Sequence, residues 1–430
     1  MNYIALIIGK IIAFIGKLLH RGSSLPGKIA LKLAPNLLKK FHLPERVIFV
    51  TGTNGKTTVT HYLAEIFSTA GYTTVTNAEG ANMIQGIATQ LIRKAHWNFN
   101  VPQEALILEV DEGTLPRLMA QITPTLLVMN NLFPDQEDRF GSADELMEYL
   151  NQMIPQLEKP RLLLNANDPR LVKIGVDHEK NQPVYYGIEA DTLNQPAHAM
   201  NCPICGLPLN YAAHYYEHIG DFSCENGHFA TPTADYLAQQ VNLTERTFVL
   251  NEHLYTFPQD NIYTAYNALA AASAALFFQV PPEKINTALQ KDFSIKGRMD
   301  QVTVNGQTLA ANLAKNPAGF NQSLVAVKKQ VHGPFDLTLI VNTREADGTQ
   351  PDWLYHCELE TLNLPELKTV YIAGDAQSTI KEALLQSGFK APCIQNTVLK
   401  DLPTQITQTT NKHFLIANYT ALYEFYDLLH

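Results

Sequence analysis

A glycine-rich loop at residues 51–58 carries the residue types that grip a nucleotide triphosphate. Glycines let successive backbone N–H groups curl around phosphate oxygens, and the amino end of a following helix adds its positive dipole end. Lys56 would reach the β- and γ-phosphates of ATP, and the Thr57 hydroxyl would bind Mg²⁺. Val50 stands where the usual phosphate-loop pattern has its first glycine. The alternative is a solvated turn in which Gly-Lys-Thr occurs by chance, and the strand and helix patterns on either side argue against it. The predicted nucleotide-binding residues of the loop are Gly52, Thr53, Asn54, Gly55, Lys56, Thr57 and Thr58.

Acidic side chains follow a second apolar run and indicate a metal site beside the loop. Along a strand, Glu109 and Asp111 would lie on one side and Glu112 on the other. Ligands of open α/β sheets bind beyond the carboxyl ends of parallel strands, where carboxylates can hold Mg²⁺. We therefore predict that Thr57 and Glu109 hold Mg²⁺, and that Lys56 and Glu109 are catalytic. An acidic turn without a ligand is the alternative for these carboxylates in isolation.

Three cysteines that lie close together in the sequence indicate a zinc site. A C-x-x-C pair is followed by a third cysteine at a spacing that fits a zinc ribbon. An imidazole could supply the fourth ligand, and His214 and His218 are weaker candidates for it than His228. The predicted zinc ligands are Cys202, Cys205, Cys224 and His228. A ribbon that has lost its metal and is held together by packing is the alternative.

Short apolar runs predict the strands that position these residues. Four runs in the first part of the chain each end in a polar cluster, as expected if they border one active site, and three later runs alternate with helical patterns. The runs are 46–50, 105–108, 125–129 and 162–164, followed by 337–341, 369–373 and 414–417. The pattern predicts an α/β fold with a doubly wound ATPase domain over residues 46–295, a zinc ribbon inserted at about residues 200–232, and a smaller α/β domain over residues 296–430.

The amino-terminal stretch is largely apolar, but Lys10, Lys17 and His20 interrupt it. No uninterrupted run approaches the ~20 residues of a membrane-spanning helix, and the charges lie inside the stretch rather than ahead of it as in a secretory signal. On a helix, the two lysines would share one face, opposite a stripe of isoleucines and Phe14. We expect an amphipathic segment over residues 1–45 that packs on its own domain. A helix that rests on a membrane surface or docks to a partner is the alternative.

The composition excludes several classes of protein. The chain has 430 residues, of which 46% are hydrophobic and 17% charged, so it is neither disordered nor collagen-like nor a coiled coil. Its net charge of −9 argues against a nucleic-acid partner, because surfaces that bind nucleic acid are basic. Five cysteines are too few for a disulfide framework and suit a reducing compartment. We expect a cytoplasmic protein, with peripheral contact at the inner face of the plasma membrane as a further option.

Several motifs resemble those of the Mur ligase superfamily, whose members form amide bonds with ATP in peptidoglycan and folate metabolism. The G-T-N-G-K-T-T loop is similar to their phosphate loop, which accounts for Val50. Residues 135–141 and 165–169 resemble their D-x-x-D-R/H-x-G and N-A-D-D-P segments, and Gly297-Arg298 resembles the Gly-Arg that opens their third domain. Within the superfamily the chain is similar to the MurT family, most specifically in the Lys-Asn-Pro-Ala-Gly segment that begins at Lys315.

The resemblance implies an activity, a partner and further site residues. In the MurT family, ATP phosphorylates the α-carboxylate of D-glutamate in the lipid II stem peptide, and ammonia then displaces phosphate to give D-isoglutamine. The ammonia comes from GatD, a glutamine amidotransferase, so the resemblance implies a GatD-like partner in a heterodimer, with lipid II as substrate. It also implies that Asp168, Asn267 and Arg298 help to bind the nucleotide.

Two departures from the family pattern affect the partner and the metal. The resemblance implies that an aspartate of the carboxy-terminal domain completes the partner's Cys-His triad, but Gln350 falls at that place, and an amide cannot stabilise an imidazolium as a carboxylate does. We predict that Asp352 takes this catalytic role. The family's fourth ribbon cysteine is missing, which leaves His228 as the candidate. The alternatives are another Mur-type amide ligase with a different nitrogen donor, and a non-catalytic P-loop ATPase whose zinc ribbon binds nucleic acid.

Overall fold

A computed structural model divides the chain into two compact units. One unit contains Met1–Leu132 and Asp144–Asp292, and the other contains Phe133–Ala143 and Phe293–His430. The structure describes residues 1–18, 24–77, 81–135, 141–154, 160–189, 200–291, 297–344 and 347–429, without the side chains of Lys17, Leu18, Arg298 and Met299. The units differ from the predicted boundaries in two places, because residues 1–45 belong to the first unit and residues 133–143 to the second.

The described residues form the following helices and strands. The helices are α1 (Asn2–Leu18), α2 (Leu25–Leu33), α3 (Lys56–Thr69), α4 (Ile84–Lys94), α5 (Leu115–Met119), α6 (Ala143–Met153), α7 (Pro169–Asp177), α8 (Ile262–Phe277), α9 (Pro282–Leu289), α10 (Pro317–Gln330), α11 (Gln377–Gln386), α12 (Leu402–Ile406) and α13 (Tyr419–Asp427). The strands are β1 (Arg46–Thr51), β2 (Thr74–Thr76), β3 (Ala105–Glu109), β4 (Leu126–Met129), β5 (Arg161–Asn165), β6 (Val184–Ile188), β7 (Leu209–Tyr216), β8 (Ile219–Cys224), β9 (Tyr236–Asn242), β10 (Thr247–Leu250), β11 (His253–Thr256), β12 (Arg298–Val304), β13 (Gln307–Leu313), β14 (Phe335–Ile340), β15 (Leu367–Ala373), β16 (Ile394–Asn396) and β17 (Lys412–Ala417).

The described part of the first unit is built on a nine-stranded sheet in the order β11-β10-β9-β6-β5-β4-β1-β3-β2. The strands from β2 to β9 in this order run parallel, and β10 and β11 are antiparallel additions at one edge. The central strands are continuous apolar runs that are buried along nearly their whole length, as expected for a parallel sheet covered by helices. The four strands predicted in this part of the chain are confirmed.

Strand β1 lies between β3 and β4, so that Val50 pairs with Glu109 on one side and Val128 on the other. The chain therefore crosses from one side of β1 to the other between β3 and β4. Open α/β sheets bind ligands outside the carboxyl ends of their strands at such a switch in strand order. The segments after β1, β3 and β4 consequently meet at one edge of the sheet.

Helix α1 packs on α2 and α4. Ala5 and Gly9 are buried, and a Cβ atom on Gly9 would lie 3.0 Å from Ile92 Cδ1. Lys10 Nζ donates hydrogen bonds to the carbonyl oxygens of Ile92 at 2.8 Å and Ala95 at 2.5 Å, at the carboxyl end of α4. The expectation that this segment packs on its own domain is confirmed. Among the described residues, no helix is long and apolar enough to cross a membrane.

Between β6 and β9 the chain leaves the large sheet and forms the antiparallel hairpin β7–β8. The C-x-x-C pair precedes β7, and Cys224 ends β8. Phe222 and Phe229 pack with Leu209 in a small apolar cluster beneath these turns, which also contains Val172 of α7. The insertion therefore combines a hairpin with two cysteine-bearing turns.

The described part of the second unit is a six-stranded sheet in the order β12-β13-β17-β14-β15-β16. All neighbours are parallel except β12 and β13. Alternate residues of β14 join two separate apolar clusters, with Leu337 and Leu339 in one and Ile340 in the other. The first cluster includes residues of α10 and α11, and the second includes residues of α12 and α13, so helices cover both faces of the sheet. The predicted α/β character of this region is confirmed.

Candidate active site

The loop between β1 and α3 is curled, as a phosphate loop must be. Gly52 and Gly55 have backbone φ angles of +122° and +85°, in the region that only glycine adopts readily. A Cβ atom on Gly52 would lie 2.9 Å from the Asn131 carbonyl oxygen, and one on Gly55 would lie 2.2 Å from Asn267 Oδ1. Both positions therefore require glycine. Asn267, one of the predicted nucleotide-binding residues, is placed directly against the loop.

The Lys56 ammonium is buried inside this curl at the start of α3. Lys56 Nζ donates to the Gly52 carbonyl oxygen at 2.6 Å and to the Thr53 carbonyl oxygen at 3.3 Å. It also donates to Glu112 Oε1 at 2.8 Å. A buried lysine needs a counter-charge, because an unpaired ion loses its hydration energy without compensation. Because a buried Lys56 requires a nearby carboxylate, Glu112 could have been predicted from the sequence as a residue of the site.

Thr57 and Glu109, predicted to hold Mg²⁺, are brought together by the structure. Thr57 Oγ1 donates to Glu109 Oε2 at 2.8 Å, and Asn82 Nδ2 donates to Glu109 Oε1 at 2.9 Å. Asn77 fixes the strand end, because its side chain accepts from Glu109 N and donates to the Glu109 carbonyl oxygen, each at 2.8 Å. Hydroxyl and carboxylate oxygens are the ligands that Mg²⁺ prefers. The donor set therefore fits the predicted metal.

Two asparagines after β4 hold the loop from its other side. Thr53 N donates to the Asn131 carbonyl oxygen at 2.9 Å, and Asn54 N donates to Asn131 Oδ1 at 2.8 Å. Asn130 Nδ2 donates to the Asn54 carbonyl oxygen at 3.3 Å. Thr58 follows in the first turn of α3 with a buried side chain. The asparagine pair therefore fixes the shape of the loop, a role that the sequence pattern alone does not reveal.

The carboxylates after β3 do not continue the alternation that the sequence predicts, because the strand ends at Glu109. Asp111 turns back and accepts hydrogen bonds from Gly113 N at 3.1 Å and Thr114 N at 3.2 Å. Glu112, in the same turn, reaches Lys56. The strand on which the expected placement of Asp111 beside Glu109 depends therefore ends before Asp111.

Asp168 is fully buried, and its carboxylate joins the segments that follow β4 and β5. Oδ2 accepts from Leu132 N at 2.9 Å, and Oδ1 accepts from Arg170 N at 2.9 Å, which caps α7. His218 Nε2, from the turn of the β7–β8 hairpin, lies 3.4 Å from Oδ1. Burial by itself would raise the pKa of Asp168, but attraction to His218 and Arg170 and the hydrogen bonds to the carboxylate hold it below the ordinary value. The contacts give Asp168 a positioning role, and its binding of nucleotide stays a prediction.

The remaining predicted residues lie in the second unit. Arg298 is the first residue of β12, and its side chain lies outside the described part of the chain. Asp352 begins a 3₁₀ helix and is exposed. Lys315, where the MurT-like segment begins, forms an ion pair with Asp135 at 2.5 Å. Residues 136–140, which make up most of the predicted D-x-x-D-R/H-x-G segment, also lie outside the described residues.

Three thiols and an imidazole converge beside the β7–β8 hairpin. The ligand atoms of Cys202, Cys205, Cys224 and His228 all lie within 4.8 Å of one another. The sulfurs of Cys205 and Cys224 are 3.5 Å apart, and His228 Nε2 lies 3.7 Å from Cys202 Sγ and 3.9 Å from Cys224 Sγ. A tetrahedron with zinc–sulfur distances of ~2.3 Å has edges of about 3.8 Å, so the four donors have the spacing and the chemistry of a zinc site. His214 instead stacks on a tyrosine ring.

Comparison with known proteins assigns the chain to a family. The Mur ligase middle domain family matches residues 50–202, and the MurT ligase C-terminal family matches residues 313–422. A Streptococcus pneumoniae protein (strain ATCC BAA-255 / R6) named lipid II isoglutaminyl synthase (glutamine-hydrolyzing) subunit MurT is 30% identical over 436 residues, which cover 99% of this chain and 96% of that protein. The protein of the same name from Staphylococcus aureus (strain COL) is also 30% identical, over 94% of this chain and 91% of its own length. The chain belongs to the MurT family.

Solved structures show that this MurT-family chain has the Mur ligase fold. A pseudomurein peptide ligase type C from Methanothermus fervidus matches with a TM-score of 0.70 and 22% identity, over 92% of this chain and 80% of that one. MurF from Thermotoga maritima, solved in complex with ADP, matches with a TM-score of 0.59 and 15% identity, over 93% of this chain and 83% of that one. At these identities the likeness concerns the fold alone, and it confirms the Mur-ligase-like α/β architecture.

Proposed function

We propose that this chain catalyses the ATP-dependent amidation of the α-carboxylate of D-glutamate in the lipid II stem peptide, which gives D-isoglutamine. The nearly full-length similarity to relatives named lipid II isoglutaminyl synthase supports the substrate and the reaction. The observation that carries the proposal is the 2.8 Å hydrogen bond between Thr57 and Glu109. This contact supports Thr57 and Glu109 as two oxygen ligands for a magnesium nucleotide beside the loop that contains Lys56.

The chemistry requires activation of a carboxylate, because hydroxide is a poor leaving group. Transfer of the γ-phosphoryl group of ATP to a carboxylate oxygen gives an acyl phosphate. Ammonia then attacks the carbonyl carbon, and inorganic phosphate leaves as the C–N bond forms. Lys56 and the backbone N–H groups at the amino end of α3 would neutralise charge on the transferring phosphoryl group. Mg²⁺, held through Thr57 and Glu109, would supply further charge neutralisation.

The nitrogen donor of the proposed reaction is ammonia released by a glutamine-hydrolysing partner. The printed names of the relatives describe a glutamine-hydrolyzing enzyme and a subunit of it, which supports a GatD-like amidotransferase as the second subunit. The exposed carboxylate of Asp352 is available to such a partner. Because the reaction consumes ATP, we place it in the cytoplasm.

The cysteine cluster is proposed to bind a structural Zn²⁺. All four positions of the tetrahedron would be filled by Cys202, Cys205, Cys224 and His228, and a zinc ion without an open position has a structural rather than a catalytic role. The thiolate and imidazole donors and their spacing support this assignment. The metal would close the two turns over the apolar cluster of the hairpin.

Mass spectrometry of the product tests the proposed reaction. The protein, incubated with ATP, Mg²⁺, ammonium and lipid II, should give a product about 1 Da lighter than lipid II, because –OH becomes –NH₂ through the acyl phosphate. Ammonium in place of glutamine makes this test independent of the partner. Lys56→Ala should abolish the product, whereas Lys390→Ala, at an exposed position, should not change it. Full amidation by Lys56→Ala would exclude Lys56 from the mechanism.

A further inference from the structure

The outward side of α1 carries a continuous row of large apolar side chains. Phe14 is 66% exposed, Ile11 52% and Ile4 51%. With neighbours at three- and four-residue spacing they form a stripe along a helix of 17 residues, which is ~25 Å long. This apolar stripe consists of Tyr3, Ile4, Ile7, Ile11, Phe14 and Ile15. Trp97, which is 63% exposed, extends the apolar surface, since its ring lies 5.3 Å from Lys10 Nζ.

The packing of α1 fixes this orientation. A surface helix ordinarily buries its large apolar residues and exposes its polar ones. In α1 the buried positions are Ala5, Leu6, Gly9 and Ala13 among the described side chains, and all but Leu6 are small enough to let the helix approach α2 and α4 closely. Lys10 reinforces the arrangement through its two hydrogen bonds to carbonyl oxygens at the end of α4. Rotation of α1 to bury the apolar stripe would break these contacts, so the packing of α1 holds the stripe at the surface.

The sequence segments that contain α1 and the two helices packed against it are strongly basic within an acidic protein. Residues 1–44 and 84–97, which include α1, α2 and α4, contain nine lysines and arginines and neither aspartate nor glutamate, whereas the whole chain has a net charge of −9. Lys28 and Lys32 of α2 are exposed, as are Arg93 and Lys94 at the end of α4. An exposed apolar face flanked by lysines and aromatic rings is typical of helices that lie in the interface of anionic membranes.

We propose that α1 lies on the surface of a membrane containing anionic lipids, with the apolar stripe among the acyl chains and the surrounding lysines at the headgroups. Charge favours this occupant over a second copy of the chain, because two copies facing each other through these basic segments would bring like charges together. The inference goes beyond the proposed function and does not rest on it. The two agree in that the proposed substrate carries a lipid.

Sedimentation with lipid vesicles tests the inference on the full chain without substrate. We expect the protein to bind vesicles made of equal parts phosphatidylglycerol and phosphatidylcholine, and to bind pure phosphatidylcholine vesicles at least about ten-fold more weakly. Binding to the anionic vesicles should weaken as salt is raised above about 0.1 M. Failure to bind anionic vesicles at low salt would overturn the inference.

Paired variants identify the surface responsible. Ile11→Glu with Phe14→Glu should reduce vesicle binding at least about ten-fold, whereas Leu254→Glu with Val398→Glu, at equally exposed apolar positions, should leave it unchanged. Equal binding by both double variants would overturn the inference. Sedimentation velocity tests the alternative occupant. A dimer that Ile11→Glu with Phe14→Glu dissociates would also overturn the inference, because a second copy of the chain would then cover the stripe. The variants should bind magnesium nucleotide as the unaltered protein does. A loss of vesicle binding with unchanged nucleotide binding would then concern the membrane surface and not the proposed function.

Tryptophan fluorescence provides a test that leaves the stripe intact. Trp97 and Trp353 are the two tryptophans of the chain, so Trp353→Phe leaves Trp97 as the reporter. We expect its emission to shift to shorter wavelength on addition of anionic vesicles, because the ring moves out of water. The shift should be absent with phosphatidylcholine vesicles. Unchanged emission with anionic vesicles that sediment the protein would show that another surface binds, and would contradict the inference.

Discussion

The Lys56 ammonium lies 2.8 Å from Glu112 Oε1, and both side chains are 8% exposed. Any phosphate group that approaches Lys56 must compete with this carboxylate for the same cation, and at low exposure the competition is strong because little water screens it. Glu112 therefore holds Lys56 inside the loop and at the same time opposes the entry of an anion. This double effect distinguishes the ion pair from a surface salt bridge.

Replacement of Glu112 by glutamine should tighten nucleotide binding. Glu112→Gln keeps a hydrogen-bond acceptor for Lys56 but removes the competing charge, so we expect ATP to bind about ten-fold more tightly in the absence of Mg²⁺. Isothermal titration calorimetry measures the change, and Glu245→Gln, at an exposed position, should have no effect. Weaker binding by Glu112→Gln would instead show that the charge is needed to orient Lys56.

The Thr57 hydroxyl should be required for the magnesium-dependent step. Thr57→Val keeps the shape of the side chain but cannot offer an oxygen to a metal ion or to Glu109, so we expect a loss of about 100-fold or more in turnover with ammonium. Thr57→Ser keeps the hydroxyl and should retain most of the activity, with a similar dependence on Mg²⁺ concentration. Equal activity of the valine and serine variants would exclude Thr57 as a metal ligand.

The cysteine cluster should hold about one Zn²⁺ per chain, which elemental analysis of the purified protein can measure. Cys205→Ser should lose the metal and lower the melting temperature, because a structural zinc ion contributes its binding free energy to folding. His228→Cys should retain the metal, since it supplies a thiolate at the same place. Cys393→Ser, outside the cluster, serves as the control. Full zinc content in a His228→Ala variant would show that the imidazole is not the fourth ligand.

Asp352 should matter for glutamine and not for ammonium. If Asp352 completes the partner's triad, Asp352→Asn should reduce glutamine-dependent amidation at least about 100-fold while ammonium-dependent amidation stays unchanged. Glu360→Gln, another exposed carboxylate nearby, should affect neither rate. Both rates are measured with the partner subunit present. An unchanged glutamine-dependent rate in Asp352→Asn would remove this residue from the proposed triad.

The second unit should become less stable in mild acid because of His413. This side chain is buried in β17, with Nε2 2.7 Å from Thr338 Oγ1, and burial lowers its pKa to about 4 although Asp336 acts in the opposite direction. In the unfolded chain the pKa returns to about 6.5, so acid protonates the unfolded state first and favours it.

We therefore expect the free energy of unfolding to fall between about pH 6.5 and pH 4, with His413 contributing at most about 3 kcal/mol. Urea denaturation at several pH values measures the fall. His413→Gln should reduce the pH dependence, and His356→Gln, at an exposed position, should not. The same pH dependence in His413→Gln and the unaltered protein would contradict the assignment to His413.

Strands and the phosphate loop could be predicted from the sequence because both are local patterns. A buried parallel strand is a continuous apolar run, and the loop needs glycine at positions with positive φ, such as Gly52 and Gly55. The Thr57–Glu109 pair was also predictable, since the carboxyl ends of β1 and β3 must meet once the two strands are neighbours. These inferences require only the order of elements and the direction of the strands.

Features that depend on side-chain packing could not be predicted in the same way. The alternation beyond Glu109 fails because Asp111 accepts hydrogen bonds from the following turn, which sends Glu112 toward Lys56. The sequence also did not determine which face of α1 is buried, because an amphipathic pattern shows that a helix has two faces but not which one packs against the protein. The close approach of Gly9 to Ile92 determines the buried face, and these two residues lie far apart in the sequence.

The contacts of Asp168 have a consequence for any variant of the cysteine cluster. Asn131 accepts a hydrogen bond from the phosphate loop, and the next residue, Leu132, donates one to Asp168. Asp168 in turn contacts His218 in the turn of the hairpin. The turn of the β7–β8 hairpin and the phosphate loop are thus connected through three successive contacts. If the cysteine cluster at the other end of this hairpin binds zinc as proposed, chelation should weaken the binding of ATP as well as the stability of the fold.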